Sequence, residues 1–117
     1  MDNCIFCKIA RGEIPSKKIY QDDEVIAFHD IRPLAPVHFM VVPTTHVASL
    51  AEVTDEHRAL MGKIMVLVSR LAKEQGCADG FRTIVNTGRV GGQEVHHLHL
   101  HVIGGGEQPL GPMLARR

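Results

Sequence analysis

Apolar and polar positions divide this chain into several short β-type runs and one long helical stripe. Leu60, Met61, Ile64, Met65, Leu67, Val68 and Leu71 recur at helical spacing. Thr54 offers an N-cap, Asp55 and Glu56 put negative charge at the positive end of the dipole, and Gly76 suits the C′ position. Together they predict a helix of about 20 residues whose apolar stripe needs a sheet to lie on. The runs 19–20 and 25–29, joined by the polar corner Gln21-Asp22-Asp23-Glu24, predict a hairpin. Residues 37–42 predict a buried strand, and residues 81–86 and 95–103 two more. Pro33 and Pro36 make 30–36 a loop, because proline gives no ladder donor. Residues 87–92 form a glycine-rich loop, Gly104-Gly105-Gly106 ends the last strand, and residues 4–11 suit a helical turn or two. Strands, one long helix and further strands imply an α+β fold with a mainly antiparallel sheet. The whole chain, 1–117, reads as one domain with an irregular tail at about 107–117.

Composition narrows the function classes. Lysine plus arginine number 13, as do the acidic residues, so the formal net charge is zero and no basic surface for nucleic acid is indicated. No apolar run reaches membrane-spanning length, and the N-terminus has neither the basic start nor the apolar core of a signal peptide. Three cysteines, an odd number, argue against a secreted disulfide framework and for a reduced, cytoplasmic setting.

Eight histidines are the unusual feature, and four of them fall within positions 96–101. His97, His99 and His101 alternate with Leu98, Leu100 and Val102. On an extended segment the leucines and valine turn to the core and the imidazoles line the other face, about 6.6 Å apart. Neighbouring imidazoles at that spacing can grip one tetrahedral phosphate. Mutual repulsion keeps at least one of them neutral, which permits a neutral nucleophile beside a protonated donor. Two other readings fit the same residues. One is a solvated face, and the other is a metal site on His99 and His101 with His38 as third ligand. Gly91, Gly92 and Gln93 precede the row, where glycines let backbone N–H groups approach an anion, and Asn86 can add an amide donor.

The run His97-Leu98-His99-Leu100-His101-Val102-Ile103 resembles the signature of the histidine triad (HIT) family, three histidines separated by apolar residues. Phe28-His29-Asp30-Ile31, Ala35-Pro36-Val37-His38-Phe39, residues 86–92 and Gly92-Gln93-Glu94-Val95 resemble segments of its Hint branch, so the likeness runs over roughly 3–106. The resemblance implies a HIT-like α+β fold, a five-stranded mainly antiparallel sheet packed against one long helix, and a homodimer. It implies hydrolysis of purine nucleoside 5′-phosphoramidates, with no catalytic cofactor. His99 would be the nucleophile that forms a nucleotidyl-histidine, and His101 would bind the phosphate and protonate the leaving amine, with His97 and His38 orienting them. Asn86, Gly92, Gln93 and the backbone of Val95 would hold the phosphate, with His99 and His101 beside it. Asp30 would bind the ribose hydroxyls, and Phe6, Ile9, Phe28 and Ile31 would form the purine slot. The related Fhit branch implies an alternative, dinucleoside polyphosphate hydrolysis, and a nucleotide-binding regulatory module with little turnover is a third. Glu94 departs from the eukaryotic pattern, which has serine there. Turned outward, its carboxylate would favour a cationic leaving amine.

Cys4-x-x-Cys7 has the spacing of a zinc knuckle, but it is a single pair where a closed site needs four ligands, and His46 and His97 are candidates to complete it. Some family members with this cysteine pair bind zinc in such a set, which implies a structural zinc on Cys4, Cys7, His46 and His97. Two reduced thiols packed as small hydrophobes are the plain alternative.

Overall fold

The computed structural model describes residues 3–112. Its elements are α1 (Ile5–Ala10), β1 (Lys18–Gln21), β2 (Val25–His29), β3 (Val37–Pro43), a helix α2 (Arg58–Glu74), β4 (Phe81–Ile84) and β5 (Leu100–Gly104). Five strands form one sheet in the order β1-β2-β3-β5-β4, and every neighbouring pair is antiparallel. The expected α+β architecture with one long helix is what the chain adopts.

Strand alternation sorts side chains to the two faces. Val25, Ala27, Phe39, Val41, Leu100 and Val102 pack under Ile64, Leu67, Val68 and Leu71 of α2. Ile26, Phe28, Met40 and Val42 pack on the opposite face with Phe6 and Ile9 of α1. Apolar layers on both faces explain why β2 and β3 read as nearly continuous hydrophobic runs. His38 alternates with Phe39 and His101 with Leu100, so both lie on the α1 face.

Helix α2 is shorter than expected. The turn after Thr54, Asp55–His57, is 3₁₀, and α2 itself spans 17 residues. His57 caps that turn, its Nδ1 accepting from the Thr54 N–H at 2.9 Å. At the other end Gly76 sits at C′ with φ +97°. Its N–H reaches the Lys73 carbonyl at 3.1 Å and that of Cys77 reaches Ala72 at 2.8 Å, the paired bonds of a Schellman motif.

Two strands are shorter than their patterns suggested. β4 ends at Ile84 rather than 86, and β5 begins at Leu100 rather than 95. Residues 95–97 instead bend, and 98–99 join them to β5 without ladder pairing, held by the Leu98 N–H, which donates to the Val47 carbonyl at 2.7 Å. Leu98 still enters the core, at 1% exposure, so the alternation of the histidines survives without the ladder. Residues 107–112 have no regular structure, and the rest of the expected tail, 113–117, lies outside the described residues. No helix among the described residues is long and apolar enough to cross a membrane.

Candidate active site

The three alternating histidines share the α1 face with different neighbours. His99 and His101 have ring centroids 5.0 Å apart, and Phe6 packs edge-on against His99 at 5.0 Å and against His97 at 6.0 Å. His97 is fully buried, and His99 is 6% exposed.

Hydrogen bonds assign a proton to each ring. His99 Nδ1 lies 2.7 Å from the His97 carbonyl, which can only accept. Nδ1 therefore carries the hydrogen, and Nε2 keeps its lone pair. His97 Nε2 lies 2.8 Å from the Pro43 carbonyl, so its hydrogen is on Nε2 and its Nδ1 lone pair is free. His38 lies diagonally across the β3–β5 ladder from His101, whose paired residue is Met40. Its Nε2 is 2.9 Å from His101 Nδ1, and its own Nδ1 accepts from the Leu34 N–H at 3.1 Å. Asp30 Oδ2 stands 3.4 Å from His38 Nε2. Burial pushes His38 and His101 below the ordinary imidazole pKa. For His101 the neighbouring His99 and His38 push the same way, while Asp30 partly offsets the effect at both rings. The row thus sets His99, with its Nδ1–H held by a carbonyl, beside His101, whose Nδ1 meets His38 Nε2.

A cleft of about 940 Å³ reaches this site at His38, while His97, His99 and His101 are not among the residues that line it. Phe6, Ile9, Phe28, Asp30 and Ile31, the residues expected around a nucleoside, all line it, together with Pro33, Pro36, His38 and Met40. Ile31 is 93% exposed at its rim, an apolar side chain left uncovered over an apolar slot.

The glycine-rich loop differs from its expected role in one respect. Gln93 does not offer its amide to a ligand. Its Oε1 accepts from the Gly88 N–H at 2.9 Å, and its Nε2 donates to the carbonyls of Ala48 and Val95 at 2.8 and 2.9 Å. Its N–H donates to the Gly88 carbonyl at 3.0 Å, and the Gly92 N–H closes a turn on Arg89 at 3.1 Å. Buried amides must be satisfied, and here the protein itself satisfies them, so Gln93 is a strut that shapes the loop. Gly91 is needed for the same shape, because a Cβ there would lie 2.3 Å from the Thr87 carbonyl oxygen. The N–H groups of Glu94 and Val95 and the side-chain amide of Asn86 have no partner among the described residues.

Cys4, Cys7, His46 and His97 converge at the buried end of the row. All four donor atoms lie within 4.8 Å of one another, and the sulfur-to-Nδ1 separations are 3.2 Å for Cys4–His97, 3.4 Å for Cys7–His46 and 3.5 Å for Cys7–His97. Tetrahedral zinc with ordinary Zn–S and Zn–N lengths holds its donors about 3.3–3.8 Å apart, so this set fits it. The His97 lone pair points into the cluster because its hydrogen is held by Pro43. Burial and the adjoining Cys4 push the Cys7 thiol pKa up, a cost that a bound cation would reverse. Asp30, His38 and His101 also approach within 4.8 Å, without His99. Both His38 nitrogens are engaged in hydrogen bonds, so this trio is a proton chain rather than three lone pairs aimed at one point.

The HIT domain profile matches residues 11–108. The chain is 53% identical over 104 residues to Protein HitA of Neisseria gonorrhoeae, covering 89% of this chain and 97% of that protein. It is 46% identical over 117 residues to a purine nucleoside phosphoramidase of Escherichia coli, covering 99% and 97%. Among solved structures, a histidine triad protein from Clostridium difficile superposes with a TM-score of 0.87 at 50% identity, covering 96% of this chain and 97% of the other.

Proposed function

This chain belongs to the HIT family, and from that premise we propose that it is a nucleotide hydrolase acting on purine nucleoside 5′-phosphoramidates. The products are the nucleoside monophosphate and an amine, and the reaction passes through a nucleotidyl group on His99. The observation that carries this reading is the His99 tautomer: with Nδ1–H held by the His97 carbonyl, the Nε2 lone pair is free beside His101.

The purine enters the slot of Phe6, Ile9, Phe28 and Ile31, and Asp30 accepts hydrogen bonds from the ribose. Asp30 Oδ1 already takes the Arg32 N–H at 2.8 Å, and a carboxylate has lone pairs to spare. Asn86 and the N–H groups of Glu94 and Val95 hold the phosphate oxygens. The His99 Nε2 lone pair forms a bond to phosphorus while the P–N bond breaks. The electron pair stays on the departing nitrogen, which takes the Nε2 proton of a His101 imidazolium and leaves as a neutral amine. The positive charge on nucleotidyl-His99 is met by the His97 carbonyl at Nδ1–H. Water then attacks phosphorus and gives its proton to His101 Nε2, and the N–P electron pair returns to His99. Proximity of two prepositioned rings removes much of the entropic barrier to both steps.

Zinc on Cys4, Cys7, His46 and His97 fits as a structural ion, tying α1 to the inner end of the histidine row. The homodimer also belongs to this proposal. Met65 and Val66 on α2 are 51% and 71% exposed, and Phe81 on the edge strand β4 is 38% exposed, which leaves apolar area for a second copy. Glu94 is exposed and electrostatically coupled to His101, as expected of a carboxylate at the mouth of the site that favours cationic amines.

Mass spectrometry of protein quenched during turnover of adenosine 5′-monophosphoramidate tests the reading. An adduct of nucleoside-monophosphate mass on His99, absent in His99→Gly, is expected. Turnover with no adduct on His99 overturns the proposed route.

A further inference from the structure

The hydrogen-bond chain that ends at His101 begins on a backbone amide outside the histidine row. The Leu34 N–H donates to His38 Nδ1 at 3.1 Å, so that nitrogen carries no hydrogen. Neutral His38 then has its hydrogen on Nε2, 2.9 Å from His101 Nδ1. His101 Nδ1 must accept, which leaves the hydrogen of neutral His101 on Nε2. Direction runs one way along the chain, from Leu34 through His38 to His101.

The same chain resists a second proton. A His101 imidazolium carries hydrogen on both nitrogens, so its Nδ1–H meets the His38 Nε2–H. His38 can turn acceptor there only by moving its hydrogen to Nδ1, where the Leu34 N–H already points. Two donors would then face each other across 3.1 Å. The acid that expels an amine is therefore obstructed while Leu34 keeps its position. Leu34 lies on the loop 30–36, and its side chain is 78% exposed. Ile31, Pro33 and Pro36 of that loop line the nucleotide cleft.

We propose that the Leu34 backbone N–H is a positioning group, a proton latch that keeps His101 singly protonated in the free protein. A nucleotide seated against loop 30–36 draws the amide away, and His101 takes up its second proton where the leaving nitrogen needs it. This rests on the reading of His101 as the general acid. The charged or titratable neighbours of His101 are His99, His38, Asp30 and Glu94: the two histidines oppose its protonation and the two carboxylates favour it. All four remain when the amide is removed, so the latch can be tested separately from them.

Histidine ¹⁵N NMR reads the tautomers and the titration directly. Free wild-type protein is expected to show Nε2–H tautomers at His38 and His101. Leu34→Pro deletes the donor and is expected to raise the His101 titration midpoint by about one pH unit. Replacing Leu34 by its α-hydroxy acid deletes the same N–H without adding a ring and is expected to give the same shift. Leu34→Ala keeps the donor and the wild-type midpoint. In wild type, AMP is expected to weaken the Leu34 hydrogen bond, read as an upfield shift of its amide proton. An Nδ1–H tautomer at His38 in the free protein overturns the latch, as does an unmoved His101 midpoint in both donor-deleted forms. Turnover through a His99 adduct with an unmoved midpoint overturns the latch alone. A shifted midpoint in a protein that never turns over phosphoramidates overturns the proposed activity and leaves the latch standing.

Discussion

The carbonyl of His97 accepts the Nδ1–H of His99 at 2.7 Å, while the imidazole of His97 turns the other way, toward Cys4 and Cys7. One residue thus joins the Cys4, Cys7 and His46 cluster by its side chain and His99 by its backbone. Whatever fixes the His97 ring also fixes the carbonyl that sets the tautomer of His99.

Loss of the cluster is expected to reach the chemistry through that carbonyl. Cys7→Ser should lower metal content from about one equivalent per chain toward none, and the melting temperature on the order of 10 °C. The rate constant kcat/KM should fall about tenfold, since supports of this kind contribute on that scale. Elemental analysis, thermal unfolding and turnover check the three together. A metal-free variant with wild-type melting and rate would disconnect the cluster from the site.

Acid should destabilise the fold in a defined window. Burial holds His38 and His101 below the ordinary value of 6.5, so the unfolded chain takes up protons there before the folded protein does. Their contribution to stability is fully present above pH 6.5. It is lost as pH falls below that value toward the lower folded pKa values, and then levels off. Denaturant midpoints between pH 8 and pH 5 should trace this fall, with a shallower slope in His101→Asn.

Gln93→Leu should unfold the glycine-rich loop before it affects the histidines. The change removes three hydrogen bonds to Gly88, Ala48 and Val95 and strands their backbone groups, at a cost of about 2–3 kcal/mol. KM for the nucleotide should rise more than kcat falls, because the donors of Glu94 and Val95 lose their placement. Urea unfolding and steady-state kinetics measure both. An unchanged KM would show that the loop does not hold substrate.

Gly91→Ala tests the loop by steric means. The new methyl would overlap the Thr87 backbone, which cannot swing aside as a side chain tip can. A stability loss of about 1–3 kcal/mol is expected, again with a raised KM. Gly88→Ala at φ +69° is a useful companion, since its cost comes from backbone conformation and nothing lies within 4 Å of its Cβ.

Much of this architecture was legible in local patterns. The stripe from Leu60 to Leu71 and the alternation of His97, His99 and His101 follow from periods of 3.6 and 2, while Gly76 at the helix end follows from glycine's freedom at positive φ. Those periods come from local chain geometry and need no tertiary information. Strand ends were less legible, because a ladder ends where its partner strand ends. Leu98 keeps its inward orientation through one bond to Val47 and not through a strand.

What only the folded chain decided is which polar atoms meet. Cys4 reaches His97 across 93 positions and His38 reaches His101 across 63, and no local signal encodes either distance. Gln93 has the chemistry of a phosphate ligand, yet the buried carbonyls around it claim its hydrogens first. The residue types determined the chemistry on offer. Hydrogen-bond competition in a closed interior, where each donor and acceptor must find a partner or incur a desolvation cost, decided which of it remained free for a substrate.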